Sequence, residues 1–163
     1  MRQLAKILLL LALFPMTALA AGNSETSAEN LIARIAKEGG HNVLWDLWEH
    51  EKDFGHVLSG IESGDTSWLK VATALRPFSD AGASLALDYA VALALPKTPN
   101  RVLALVGHGF DLANICTSPF LEPEPGVAKE YERKSLAALS KVESPALAPI
   151  ATACSKRVRL PVG

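Results

Sequence analysis

The sequence predicts an all-α fold, a compact array of six to eight short antiparallel helices that form either a bundle or a short α-solenoid. Apolar residues recur at helical spacing along most of the chain, and Pro/Gly turns separate these segments. Segments rich in β-branched and aromatic residues, which would indicate strands, are not found. The length of 163 residues and the hydrophobic content of 49% suit a single globular domain, which we place at residues 27–158.

The array is expected to surround a buried central helix at residues 81–95. This segment is rich in Ala and Leu and carries one formal charge, that of Asp88. Large residues at odd positions from 85 to 95 also fit a strand, but only Tyr89 and Val91 are strand-favouring. A helix that is apolar on all sides is expected to be buried on most of them.

Local signals predict the helices that precede the central one. Thr26 and Glu29 have the spacing of a capping box, and the helix that they begin would stop at Gly39 and Gly40. Residues 41–61 fit one amphipathic helix or two, with Gly55 as a possible break. Asp65 is expected to cap a helix over 66–75.

Similar signals continue through the second half of the chain. Either Ser79 or Asp80 would cap the central helix, and Thr98 followed by Pro would begin the next one. The Pro-rich residues 117–126 are predicted to be a loop. Amphipathic helices are then expected over 127–142 and from Ser144 onward.

The N-terminal segment has the pattern of a secretory signal peptide. A basic start with Arg2 and Lys6 precedes an apolar run, and Ala18-Leu19-Ala20 is typical of a cleavage site. We expect residues 1–20 to be removed, with cleavage one residue later as an alternative and a retained membrane anchor as the competing interpretation. Residues 21–26 would form a flexible N-terminus and residues 159–163 a loose tail. The protein is therefore predicted to be periplasmic or secreted, with no stable membrane insertion after cleavage.

Export bears on the two cysteines and on the charge. In an oxidising compartment Cys116 and Cys154 are expected to form a disulfide, and two buried thiols are the alternative. Without Arg2 and Lys6 the chain carries 14 basic and 17 acidic residues, a net charge of −3. This balance gives no reason to expect a nucleic-acid partner.

Residues 41–56 contain the densest cluster of metal-ligand side chains in the sequence. Asp46 and His50 are four residues apart, so that on a helix they would share a face and could hold a divalent metal. The segment contains no H-E-x-x-H signature, and the solvated face of an amphipathic helix is the competing interpretation.

Other residues are candidates for contact with a partner or for a structural charge. Trp48 fits the inward stripe of its helix, whereas Trp45 points away from it and is the better candidate for an exposed contact, together with the nearby acids. These acids are Asp46, Glu49 and Asp53. Asp88, in the buried helix, requires a partner, for which Arg76 and Arg101 are the candidates.

The sequence favours a binding protein over an enzyme. It contains no nucleophile elbow, P-loop or dinucleotide-binding fingerprint, and no cofactor is expected. The first hypothesis is an exported helical protein that binds another envelope or secreted protein, a basic one, in the manner of an inhibitor or immunity protein. The alternatives are a metal-binding protein that uses residues 41–56 and a helical binder of a small apolar ligand.

Overall fold

A computed structural model describes residues 27–159 of the chain. The predictions for residues 1–20, 21–26 and 160–163 lie outside the described residues. The predicted all-α class is confirmed: the described part contains nine α-helices and one 3₁₀ turn, Arg76–Phe78, and no strand. The helices are α1 Ala28–Glu38, α2 Gly40–Glu49, α3 Glu51–Glu62, α4 Thr66–Leu75, α5 Ala81–Ala94, α6 Pro99–Leu103, α7 Leu112–Ile115, α8 Val127–Leu139 and α9 Ala148–Val158.

Side-chain caps begin three of these helices. Asp65 accepts hydrogen bonds from the backbone N–H groups of Ser67 and Trp68, and Asp80 accepts one from Ala83 at 2.9 Å. The predictions of caps at Asp65 and at Ser79 or Asp80 are therefore confirmed, with Asp80 as the second cap. At α1 the capping side chain is that of Ser27, one residue later than predicted. Thr26, the predicted first residue of the capping box, lies outside the described residues.

The segment 41–61 forms two helices, and the break falls at His50 rather than at Gly55. His50 has φ −112° and ψ 77°, outside the helical region, and its ring nitrogen Nδ1 lies 2.7 Å from the carbonyl oxygen of Asp46. The same carbonyl oxygen also accepts the backbone N–H of His50, so that the imidazole adds a second hydrogen bond at the end of α2. The break itself contains neither Gly nor Pro.

The helix start predicted at Thr98 and Pro99 is confirmed, but the predicted capping by the Thr98 side chain is not. Pro99 is the first residue of α6, but the hydroxyl of Thr98 makes no capping hydrogen bond and is a buried oxygen without a partner among the described residues. The helix itself has five residues and ends at Leu103.

The central position of α5 is confirmed by its packing. It packs most extensively against α3 and also contacts α4, α6 and α7. Its residues from Leu87 onward are largely buried, while Leu85 near its start remains 48% exposed. Most of the extensive helix–helix contacts join helices that are adjacent or next but one in the chain. The contact of α1 with α4 is the exception.

A single disulfide joins the end of α7 to α9. The bond links Cys116 to Cys154, which are 38 residues apart, and no free cysteine occurs in the described chain. Both half-cystines are fully buried and belong to the hydrophobic core. The predicted pairing is therefore confirmed, and it holds the C-terminal helix against the segment that precedes the Pro-rich loop.

Candidate recognition surface

A small aromatic pocket lies where α2, the 3₁₀ turn and the start of α5 meet. We call it the aromatic pocket. Its cavity measures about 120 Å³. The lining residues are His41, Leu44, Trp45, Trp48, Phe78, Asp80 and Ala83.

Helical spacing and two glycines build this pocket. Residues 41, 45 and 48 lie on one face of α2 because they are separated by four and three positions. At Gly40 a Cβ atom would overlap the ring of Phe78, so that the ring of the 3₁₀ turn lies directly on the start of α2. At Gly82 a Cβ would lie 3.1 Å from Cη2 of Trp48. The two glycines therefore let the aromatic rings pack closely against both helices.

Three aromatic side chains at the pocket are largely exposed. The exposed fractions are 62% for Trp45, 45% for Trp48 and 45% for Phe78. The prediction that Trp48 belongs to the core is wrong. Its ring packs against Phe54, with the centroids 5.5 Å apart, and approaches Gly82, but 45% of the residue stays exposed. The buried stripe of α2 ends at Leu47, and the helix itself ends two residues later at Glu49.

The polar groups of the pocket are His41 and Asp80. Oδ1 of Asp80 caps α5, and the same oxygen lies 3.7 Å from the Cβ position of Gly82, on which Trp48 also packs. The side chain of Asp80 is exposed, and among residues 27–159 no basic side chain forms an ion pair with it. A carboxylate and an indole thus approach the same glycine at the mouth of the pocket.

The predicted metal-ligand pair, Asp46 and His50, is engaged in other contacts. Oδ2 of Asp46 lies 2.8 Å from Nη2 of Arg34, and Oδ1 lies 3.4 Å from Nδ1 of His50. The hydrogen bond to the Asp46 carbonyl, with the charge of its carboxylate, raises the pKa of His50. Within the described ranges no group of three or more His, Cys, Asp or Glu side chains is arranged to hold a metal ion.

The remaining predicted contact residues, Glu49 and Asp53, are exposed but do not line the pocket. Glu49 is exposed and follows Trp45 by four positions on α2, which places it on the same helix face. Asp53 is exposed in the first turn of α3 and does not line the pocket. Sequence reasoning missed Phe78 and the role of Asp80 at this site. The only sequence signal was that both lie in the short turn between two predicted helices.

Asp88 belongs to a buried structural network whose side chains do not line the aromatic pocket. Its Oδ1 lies 3.1 Å from Nη1 of Arg76, and its Oδ2 accepts hydrogen bonds from Nη2 of Arg76 and from Asn114. Burial raises the pKa of Asp88, and the neighbouring guanidinium opposes this shift. Of the two predicted partners the structure places Arg76 here, while Arg101 donates to the carbonyl of Gly64.

A larger cleft of about 740 Å³ runs beside α8, and three of its charged side chains, Glu130, Arg133 and Lys134, are joined by ion pairs. Arg133 and Lys134 both contact Glu130, and together they lower the pKa of Glu130 to about 2. Nζ of Lys97 donates to the carbonyl oxygen of Glu62. Glu62 and Lys141 also line the cleft and form no ion pair among the described residues, but the cleft has no exposed aromatic rings such as those of the aromatic pocket.

The chain matches no known family model, no curated protein and no solved structure. Its function must therefore be inferred from the geometry and chemistry of its own residues. One further finding concerns membranes: along residues 27–159 no helix combines the length and the apolarity needed to cross a bilayer. The aromatic pocket remains the surface with the strongest physical case for recognition.

Proposed function

We propose that this protein is an exported, non-catalytic binding protein that recognises another protein of the same compartment through the aromatic pocket. The observation that carries the proposal is the exposure of Trp45, Trp48 and Phe78 around one cavity. Aromatic side chains are the commonest anchors of protein interfaces, and exposed apolar residues that cluster indicate a contact surface.

The exposed rings can supply substantial binding energy. An aromatic side chain buries roughly 150–250 Å² when it is fully covered, so that three rings that are about half exposed offer on the order of 300 Å². At about 25 cal/mol per Å² this area corresponds to roughly 7 kcal/mol before the costs of association. A stable complex therefore needs further contacts around the pocket, for which the neighbouring surface of α2 and α3 offers Glu49 and Asp53.

A binding role also fits the state of the pocket's polar groups. The carboxylate of Asp80 serves as the cap of α5, which fixes its position. A rigid carboxylate beside fixed rings suits recognition of a preformed partner surface. One concrete form of the proposal is an inhibitor or immunity-type protein that blocks a toxin or hydrolase of the envelope.

The predicted compartment supports the proposal in two ways. The N-terminal sequence has the pattern of a signal peptide. The disulfide is a bond that persists in oxidising compartments and is rare in the cytosol. A partner would accordingly be an envelope or secreted protein.

The test is affinity capture from envelope extract with tagged protein lacking residues 1–20. The wild type is compared with Trp45→Ala and with Leu121→Ala, which removes an exposed apolar side chain, 74% exposed, from the Pro-rich loop. We expect one stoichiometric protein partner that Trp45→Ala loses and Leu121→Ala retains. Capture of no specific protein, or equal capture by Trp45→Ala, would refute the proposal.

A further inference from the structure

We infer that the aromatic pocket receives the guanidinium group of an arginine side chain from the protein partner. The inference rests on the proposed function and names the chemistry of the contact. Its basis is the combination of exposed aromatic rings, a carboxylate without a basic partner among the described residues, and a cavity of the size of one side-chain end.

The rings provide the first part of the argument. Trp45, Trp48 and Phe78 line one cavity, and indole rings attract cations more strongly than other aromatic side chains do. A guanidinium is planar and weakly hydrated, so that it stacks on aromatic faces at a smaller desolvation cost than an ammonium group. A purely apolar ligand would use the rings but would leave the Asp80 carboxylate, which already caps α5, without a counter-charge.

The charges provide the second part. Asp80 brings a full negative charge to the pocket, which exceeds the positive half-charge expected at the N-terminus of α5. Between residues 41 and 53 the chain carries four carboxylates and one ammonium group, that of Lys52. Asp46 is engaged with Arg34, but Glu49 is exposed on the helix face of Trp45. The field around the pocket therefore favours a cation.

The size of the cavity provides the third part. Its volume of about 120 Å³ is well below the range of roughly 300–1,000 Å³ that is typical of sites for drug-sized ligands and cofactors. It corresponds to the space of about four water molecules. A cavity of this size accommodates the end of one side chain while the surrounding surface contacts the remainder of the partner.

The experiment is an NMR titration of the indole N–H signals. The probe is N-acetyl-arginine amide, and the matched neutral probe is N-acetyl-citrulline amide, in which a ureido group replaces the guanidinium. Trp68 is an internal control because it packs on Gly60 and against the edge of His56, and it does not line the pocket. The titration is run at about pH 8, where imidazole groups are generally neutral.

We expect the signals of Trp45 and Trp48 to shift saturably with a Kd of about 1–10 mM for the arginine probe, while Trp68 stays unchanged. The citrulline probe should bind at least about fivefold more weakly. Equal shifts with both probes, no saturation, or a matching shift of Trp68 would overturn the inference. A sugar probe, N-acetylglucosamine, that saturates the same two signals more tightly than the arginine probe would also overturn it.

A pair of cap variants isolates the carboxylate. Asp80→Asn removes the charge and keeps a side chain that caps helices equally well, and Asp65→Asn makes the same change at the cap of α4, outside the pocket. Asp80→Asn should weaken arginine binding about threefold to tenfold, and Asp65→Asn should leave it unchanged. Equal affinity in Asp80→Asn and the wild type would contradict the role of the carboxylate.

The outcomes separate this inference from the proposed function. If the wild type captures a partner in a Trp45-dependent manner but the arginine probe does not bind, recognition stands and the inference fails. If the probe binds as expected but no partner is captured, the chemistry of the pocket stands and the proposed function fails.

Discussion

Removing the carboxylate of Asp88 should destabilise the protein strongly, because it leaves the guanidinium of Arg76 without its counter-charge. Both side chains are largely buried, with 7% exposure for Asp88 and 14% for Arg76. The guanidinium also donates to the carbonyl oxygens of Ser84 and Gly109, each at 2.8 Å, and its Cζ lies 5.0 Å from the centroid of Phe110. It is therefore held in place and cannot move out to solvent without breaking these contacts.

The magnitude follows from this environment. Breaking a buried ion pair by deleting one partner costs about 3–5 kcal/mol. The lower part of this range applies to Asp88→Ala, because Arg76 keeps two carbonyl acceptors and because burial raises the pKa of Asp88. We expect a loss of about 3 kcal/mol. Asp88→Asn keeps the shape and one acceptor oxygen, and it should lose about 2 kcal/mol.

The assay is urea unfolding followed by tryptophan fluorescence. With a slope of about 2 kcal/mol/M, the loss predicted for Asp88→Ala lowers the midpoint by about 1.5 M. The matched control is Glu130→Ala, which removes a carboxylate from an exposed ion pair with Arg133 and should leave the midpoint unchanged. If Asp88→Ala lowers the free energy of unfolding by less than about 1 kcal/mol with an unchanged slope, the reasoning is refuted. A buried guanidinium without a counter-charge is expected to cost more than that.

Three further predictions concern a bond, a cap and a titrating group. Replacing Cys116 and Cys154 by Ser should cost about 4 kcal/mol, from the entropy of a 38-residue loop, as measured by thermal unfolding; an unchanged Tm would contradict it. Asp65→Ala should cost about 1 kcal/mol in urea unfolding and Asp65→Asn almost nothing; equal losses would argue against capping. Burial raises the pKa of Tyr131 from 10.0 to about 12, so that its neutral form is favoured in the fold. That stabilisation is complete below about pH 10 and is lost as the pH rises towards 12, so the stability advantage of the wild type over Tyr131→Phe should shrink by about 1 kcal/mol between pH 9 and pH 11; a constant difference would contradict it.

Features decided by nearby residues could be predicted from the sequence. The caps at Asp65 and Asp80 depend on a side chain and on N–H groups two or three residues away. The central helix follows from its composition, and the disulfide from the presence of only two cysteines. Each of these features can be inferred from a few neighbouring residues or from the number of residues of one type.

Features that depend on distant segments could not be predicted in this way. The aromatic pocket requires Phe78 to lie on Gly40 and Trp48 to lie on Gly82, contacts between residues more than 30 positions apart. The break at His50 is accompanied by a hydrogen bond between its side chain and the Asp46 carbonyl, and it contains neither Gly nor Pro. Helical periodicity alone predicts that Trp48 lies in the core. In the structure, 45% of this residue is exposed.

The disulfide constrains the C-terminal helices but not the helices that form the aromatic pocket. Cys116 and Cys154 cross-link α7 and α9, whereas the aromatic pocket is built from α2, the 3₁₀ turn and the start of α5. Reduction should therefore release α8 and α9 as a cooperative unit in native-state hydrogen exchange, with the amides of α2 remaining protected. In a changing redox environment the protein could lose order at its C-terminal end and still present the same tryptophans to a partner.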